Sequence, residues 1–229
     1  MARLLADATT DKIDFLGRGA PILYNQTLGT VLGWFKRPSI ASAFRGIFLQ
    51  EAASNKVVRI QLSNTGLINV AWRTPTAAAA FDSGSAYDDD IWHRFAFFRN
   101  DSSPYSSLFV DGVADGDSGA DADPTTDATA PTLEFWGNNS GAIKSLGGEM
   151  ARCAFWAGTR LSLAEAEAFL KGDGTQLHRP PDLWHEMRGD PVEPDWSGNG
   201  RYGTLTGTSP APHGAIRQVR DPRIPDRVR

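Results

Sequence analysis

Residues 146–172, LGGEMARCAFWAGTRLSLAEAEAFLKG, decide how the chain is read. Met150 to Trp156 alternates, with Ala151, Cys153 and Phe155 on one side and Arg152, Ala154 and Trp156 on the other. A period of two is that of a strand with one buried face. The period then changes to 3.6. Ser162 is a good N-cap, and Glu165 three residues on completes a capping box. Leu161 ahead of the cap is placed to meet Ala166 as a hydrophobic staple. Leu163, Ala166, Phe169 and Leu170 form one apolar stripe, and Gly172 can close the helix in the left-handed conformation. A helix this short is marginal in water, so its stripe must dock, with a sheet edge or sandwich end as the expected place.

Outward from this stretch the chain reads as strands. Residues 11–16 (DKIDFL) form an expected edge strand. Residues 27–37, 45–50, 57–63 and 67–73 follow, the last two joined through Asn64-Thr65-Gly66 as a hairpin. Residues 74–90, rich in Ala, Ser and Asp, read as a loop. Trp92–Arg99 (WHRFAFFR) is apolar on both faces, as a central strand of a two-sheet stack should be. Asp111-Gly112 after Ser106–Val110 is the strongest hairpin signal, and 115–131 reads as a solvated loop. Leu133–Trp136, Leu183–Met187 and Tyr202–Leu205 supply further short strands. Turn chemistry recurring about every 8–12 residues, with one helix, predicts an all-β, antiparallel two-sheet jelly-roll sandwich. The expected division is a jelly-roll domain over 1–210 and an extended basic C-terminal arm over 211–229.

Composition narrows the function classes. The chain has 229 residues, 41% hydrophobic, seven Trp and a formal net charge of −4. It can build a large core and gives no general nucleic-acid or membrane signal. No run approaches the ~18 apolar residues of a membrane span. The single Cys153 rules out an internal disulfide and reads as an inert buried thiol. The first fifteen residues lack a signal-peptide pattern, so an unexported protein is expected.

At this point the motifs resemble a known family. DDIWHRFAFFRNDSSPYSSLFVDGV (89–113) resembles the "WHHVA…LYVDG" hairpin of laminin-G-like and pentraxin-like domains of the concanavalin A-like lectin/glucanase superfamily. LSLAEAEAFLKG (161–172) is similar to that family's strand-helix closure, and DWSGNG (195–200) to its "D.SGNG" loop. DKIDF with GTVLGWFKR (11–15, 29–37) resembles its first strands. The matches run in the family's order over about residues 11–208. The resemblance implies a jelly roll whose rim or concave face binds sugars or proteins, in some members through calcium. It fixes no single function, because lectins, adhesion modules, hydrolases and virion proteins share the fold.

The candidate sites follow. The glucanase branch sets carboxylates on one strand in an E-x-D-x-E spacing. None of the seven glutamates (Glu51, Glu134, Glu149, Glu165, Glu167, Glu186, Glu193) does so, which argues against an enzyme. Trp72, Trp136, Trp156 and Trp184 are candidates for stacking on sugars, against a bland reading as packing residues. Trp156 is expected either exposed or covered by the helix. The four histidines show no zinc spacing. Calcium is the cofactor that oxygen ligands such as Asp195 and Asn199 would take, the alternative being a loop held by Asx-type bonds. Arg217, Arg220, Arg223, Arg227 and Arg229 make the tail a candidate arm for contact with a neighbouring subunit. Together these lead to an expected non-catalytic virion protein made in the host cytoplasm. It would be a capsid-decoration or tail-associated component of a tailed phage, partnered by other virion subunits or its own copies in a lattice. The alternative is a carbohydrate-binding module or lectin with a glycan ligand.

Overall fold

The computed structural model describes residues 2–5, 11–18, 20–38, 44–53, 56–74, 78–120, 129–137, 145–172, 177–187 and 192–211. The elements, in order, are β1 (Ala2–Leu5), β2 (Lys12–Asp14), β3 (Gly29–Lys36), β4 (Arg45–Ala53), β5 (Lys56–Leu62), β6 (Leu67–Arg73), β7 (Ala78–Ala86) and β8 (Trp92–Arg99). After them come β9 (Ser106–Val110), β10 (Val113–Ser118), β11 (Leu133–Trp136), β12 (Gly148–Ala157), α1 (Leu163–Lys171), β13 (Leu183–His185), β14 (Val192–Glu193), β15 (Gly203–Thr206) and β16 (Ser209–Ala211). The first sheet runs β10-β9-β8-β3-β12-β1-β16, with β13 also on β12. The second runs β14-β15-β2-β11-β4-β5-β6-β7. Every pairing is antiparallel, so the expected all-β sandwich is what the chain forms.

One core lies between the sheets. Val31, Phe35, Phe95, Phe97, Cys153 and Phe155 from the first sheet meet Ile13, Phe48, Val58, Ile60, Val70, Trp72 and Trp136 from the second. A second apolar cluster covers the outer face of the first sheet. There Leu32, Trp34, Ala96, Phe98, Ala154 and Trp156 pack against Leu161, Ala166, Phe169 and Leu170. The helix therefore docks on a sheet face, not on an edge or a sandwich end. The reason lies in the strands it meets: β3, β8 and β12 are apolar on both faces, and a second apolar face needs its own cover. Each large side chain so buried contributes roughly 1.5–3 kcal/mol.

The capping box is present, with Ser162 Oγ accepting from Glu165 N–H and Glu165 Oε2 accepting from Ser162 N–H. Gly172 ends the helix at φ 99°, a left-handed value that favours glycine. Two helix C-terminal carbonyls find donors in the sheet below. Trp34 Nε1–H donates to Leu170 (2.9 Å) and the Arg152 guanidinium to Phe169 (3.0 Å).

The period-two reading of β12 breaks at one residue. The register against β3 shifts between Ala151 and Ala154, and Arg152 has φ 44°. Arg152 is the extra residue of a bulge. Met150, Cys153 and Phe155 face the inter-sheet core, while Ala151 joins Ala154 and Trp156 under the helix. Ala151 thus lies opposite to where uninterrupted alternation puts it. The bulge aims Arg152 at Glu186, with Nε 2.9 Å from Oε1, and both side chains are buried.

Three other expectations change. β2 is not an edge strand, because it lies between β15 and β11. Residues 74–90 contain a full strand, β7, which pairs along β6 despite its Ala- and Ser-rich composition. Its neighbour across the sandwich edge is β10, where a Cβ on Gly116 would sit 3.0 Å from the Asp82 carbonyl. A side chain there would push on the Phe81 ring and the Asp82 carbonyl, and glycine avoids this where the two sheets approach. β1 pairs with β12 and β16 at residues the sequence reading left unassigned.

Candidate functional site

Trp72, Trp136 and Trp156 are completely buried. Trp72 and Trp136 belong to the inter-sheet core, and Trp136 packs on Phe48 with ring centroids 4.7 Å apart. Trp156 lies under the helix, edge-on to Phe169 at 5.4 Å. These three rings have no free face for a sugar, so their stacking role is corrected to packing. Trp184 is half-buried between Phe169 (5.0 Å) and Trp196 (6.3 Å), and its Nε1–H donates to Glu186 (2.9 Å).

Asp195 and Asn199 hold a loop. Asp195 Oδ1 accepts from Trp184 N–H (3.2 Å) and Ser197 N–H (2.9 Å), and Oδ2 from Arg201 N–H (2.9 Å). Asn199 Nδ2 donates to the Asp182 carbonyl (3.1 Å) and to Ser197 Oγ (3.0 Å). Calcium takes about six to eight oxygens. This set offers one carboxylate already engaged by three backbone donors, and does not fit the ion. Among the described residues no group of three or more His, Cys, Asp or Glu is arranged to hold a metal. Arg217, Arg220, Arg223, Arg227 and Arg229 lie outside the described residues.

The candidate surface is the outer face of the second sheet, where Leu49, Val57, Gln61 and Ala71 are buried and Glu51, Arg59, Asn69, Arg73, Ala78, Ala80 and Asp82 reach solvent. Val58, Ile60, Val70 and Trp72 point into the core, so the alternate residues Val57, Arg59, Gln61, Asn69, Ala71 and Arg73 point away from it. The register fixes three rows across the strands. One runs Glu51–Val57–Arg73–Ala78, the next Leu49–Arg59–Ala71–Ala80, and the third Gly46–Gln61–Asn69–Asp82. Arg59 and Arg73 are diagonal neighbours, about 7–8 Å apart at the backbone. Ala78 and Ala80, both exposed, leave a low floor on the β7 side of the arginines. Asn69 forms a short relay, accepting from Gln61 Nε2 (2.9 Å) and donating to Asp82 Oδ1 (2.8 Å).

Arg59 is the unusual member. It is half-buried, and Nε is closed off from solvent yet has no hydrogen-bond partner. Its pKa is lowered, first by burial and then by the Arg73 charge, against an opposing pull from Glu51. Beyond Asp82 the face runs to an open cleft of about 610 Å³ along the β7–β10 edge, lined also by Ser107, Phe109, Asp115 and Asp117. The sequence reading passed over Arg59, Gln61, Asn69 and Arg73. Their signal was the polar phase of VVRIQLS and LINVAWR. Asp82 gave none, because β7 itself was not recognised as a strand.

A laminin-G-type family model, described as the concanavalin A-like lectin/glucanases superfamily, matches residues 9–165. The chain belongs to this superfamily. No curated protein matches the chain in sequence. Among solved structures, the fold is similar to that of a putative carbohydrate binding protein from Bacteroides ovatus ATCC 8483. That match has a TM-score of 0.63 at 13% identity, covering 95% of this chain and 62% of the other. The CBM40 of Ruminococcus gnavus IT-sialidase, bound to α2,3-sialyllactose, matches with a TM-score of 0.56 at 14% identity, covering 74% and 98%. A leech intramolecular trans-sialidase matches with a TM-score of 0.55 at 16% identity, of which this chain covers 28%. At these identities the structural likeness is one of fold. The superfamily and its lectin-like jelly roll favour the carbohydrate-binding alternative over the expected virion component, for which these comparisons offer nothing.

Proposed function

We propose that the chain is a non-catalytic carbohydrate-binding module that takes acidic, carboxylate-bearing glycans on the outer face of its second sheet. The observation carrying this reading is the Arg59 guanidinium, half-buried on the outer face beside the like charge of Arg73. A planar guanidinium in that setting gains most from a carboxylate, which matches its fork bidentately and relieves its repulsion with Arg73. Ala78 and Ala80 accommodate a sugar ring, and Asn69 and Asp82 supply a donor and acceptors for its hydroxyls. The R. gnavus module in complex with sialyllactose has the same fold and supports the choice of ligand class.

The non-catalytic part of the reading rests on spacing. Around the two arginines, on β4 to β7, the carboxylates of the face are Glu51 on β4 and Asp82 on β7, three strands apart in the sheet. With about 4.8 Å per strand across the sheet and about 13 Å along it for the two rows between them, their backbones are about 19 Å apart, beyond the roughly 5–9.5 Å of glycosidase pairs.

Calorimetry with 3′-sialyllactose and with lactose tests the proposal. Sialyllactose should bind and lactose should not. Arg59→Ala should weaken binding by about ten-fold or more, and Arg59→Lys should restore little, since the fork is lost. Equal binding of both sugars, or an Arg59→Ala variant that binds as wild type does, refutes the assignment.

A further inference from the structure

His93 lies on β8 with each ring nitrogen facing a carboxylate. Nδ1 is 2.8 Å from Asp111 Oδ2 and Nε2 is 3.0 Å from Asp89 Oδ1. A neutral imidazole has one donor nitrogen and one acceptor nitrogen. Two carboxylates are both acceptors, so both contacts are hydrogen bonds only when the ring is an imidazolium. Asp111 is the turn residue between β9 and β10, and Asp89 lies in the connection from β7 to β8. The ring thus joins two segments that are distant in the chain. It is itself 7% exposed, with the Phe35 ring at 5.8 Å and the Tyr87 ring edge-on at 4.9 Å.

We propose that Asp89, His93 and Asp111 form a pH-operated latch that ties the β7–β8 connection to the β9–β10 turn and releases the connection when the imidazole loses its proton.

The surroundings set the direction. From the connection come Asp89 and Tyr87, whose hydroxyl donates to Asp115 on β10 (2.6 Å). From the turn comes Asp111. From β8 itself comes Arg94, whose N–H donates to Asp111 Oδ1 (2.9 Å) and whose guanidinium pairs with Glu167 of α1 (3.2 Å). From β3, Lys36 pairs with Asp90 (3.3 Å), next to Asp89. The carboxylates facing the ring outnumber the cations, and Arg94 directs its charge toward Asp111 and Glu167. Burial opposes protonation, but hydrogen bonds and charge from Asp111 and Asp89 raise the His93 pKa above 6.5. The latch is therefore closed below that raised value and opens as pH rises through it. Asp111 keeps the Arg94 N–H when the proton leaves. Asp89 keeps only a local bond from Ile91 N–H (3.0 Å), so its contact with the ring is the one released.

The test needs no ligand. Imidazole NMR titration should place the His93 midpoint above 6.5. Hydrogen exchange, corrected for intrinsic rates, should show amide protection across 87–91 falling about ten-fold from pH 6 to pH 9. Asp89→Asn, an exposed change that leaves the core intact, should lower the His93 midpoint and remove most of this pH step. His93→Gln should give low protection at both pH values. A His93 midpoint at or below 6.5, or equal protection at both pH values in the wild type, overturns the proposal.

Discussion

Replacing Glu134 with glutamine should change stability with a sign that depends on pH. Glu134 is 3% exposed, and Gln50 Nε2 donates to its Oε1 (2.9 Å). Gln50 also donates to the Pro21 carbonyl (3.0 Å) and accepts from Leu23 N–H, so the pair pins the β2–β3 connection to the sheet. Burial pushes the Glu134 carboxyl up to about 7, the Asp14 charge adds to this, and hydrogen bonds from Gln50 and Gly17 together with the Arg201 charge oppose it. In the unfolded chain the group titrates near its ordinary 4.5. Its stabilising protonated form is therefore fully present below about 4.5 and lost as pH rises through 7.

A rise from 4.5 to about 7 corresponds, at about 1.4 kcal/mol per pH unit, to roughly 3 kcal/mol by pH 8.5. Glutamine cannot ionise, so the variant escapes this cost. It turns an NH2 group toward one of the donors that the carboxylate accepted from, which costs about 1 kcal/mol at every pH. Glu134→Gln should thus be about 2 kcal/mol more stable than wild type at pH 8.5 and about 1 kcal/mol less stable at pH 4.5. Urea unfolding followed by tryptophan fluorescence across this range measures the difference directly. A difference that stays constant within ~0.5 kcal/mol from pH 4.5 to 8.5 would refute the assignment of a buried, late-ionising carboxyl.

The comparison with the variant is essential, because a second group titrates in the same window with the opposite sign. His185 is completely buried, and burial lowers its pKa to about 4 from 6.5. Its contribution is fully present above 6.5 and lost as pH falls through 4, for roughly 3 kcal/mol in all. NMR titration should find His185 neutral at pH 5, and a midpoint near 6.5 would remove this term. The Arg152–Glu186 pair gives a third expectation. Glu186→Ala strands a buried guanidinium and frees Trp184 Nε1. It should cost about 3–5 kcal/mol in chemical denaturation, and a loss below 1 kcal/mol would show the pair to be solvated.

Some of this architecture was legible in the residues and some was not. The strand-to-helix switch, the Ser162–Glu165 box, the Gly172 stop and the two-faced WHRFAFFR strand all stand as read. Periods and caps are properties of neighbours along the chain, and the chain carries them wherever it folds. The bulge at Arg152 was hidden, because one extra residue changes no composition and is made worthwhile only by Glu186 and the helix carbonyls. β7 was hidden because Ala, Ser and Gly have weak strand preference, and pairing along β6 decides the matter.

For the site the division falls in the same place. The sequence by itself determined an antiparallel sandwich closed by one helix, and the superfamily to which it belongs. Only the tertiary structure decided which aromatic and which polar residues stay within reach of solvent. Alternation assigns a side chain to one of two faces but does not say what covers that face. The helix covers the outer face of the first sheet, which takes Trp156 out of contention. The outer face of the second sheet keeps Arg59, Asn69 and Arg73 within reach of solvent, in rows set by pairing between strands.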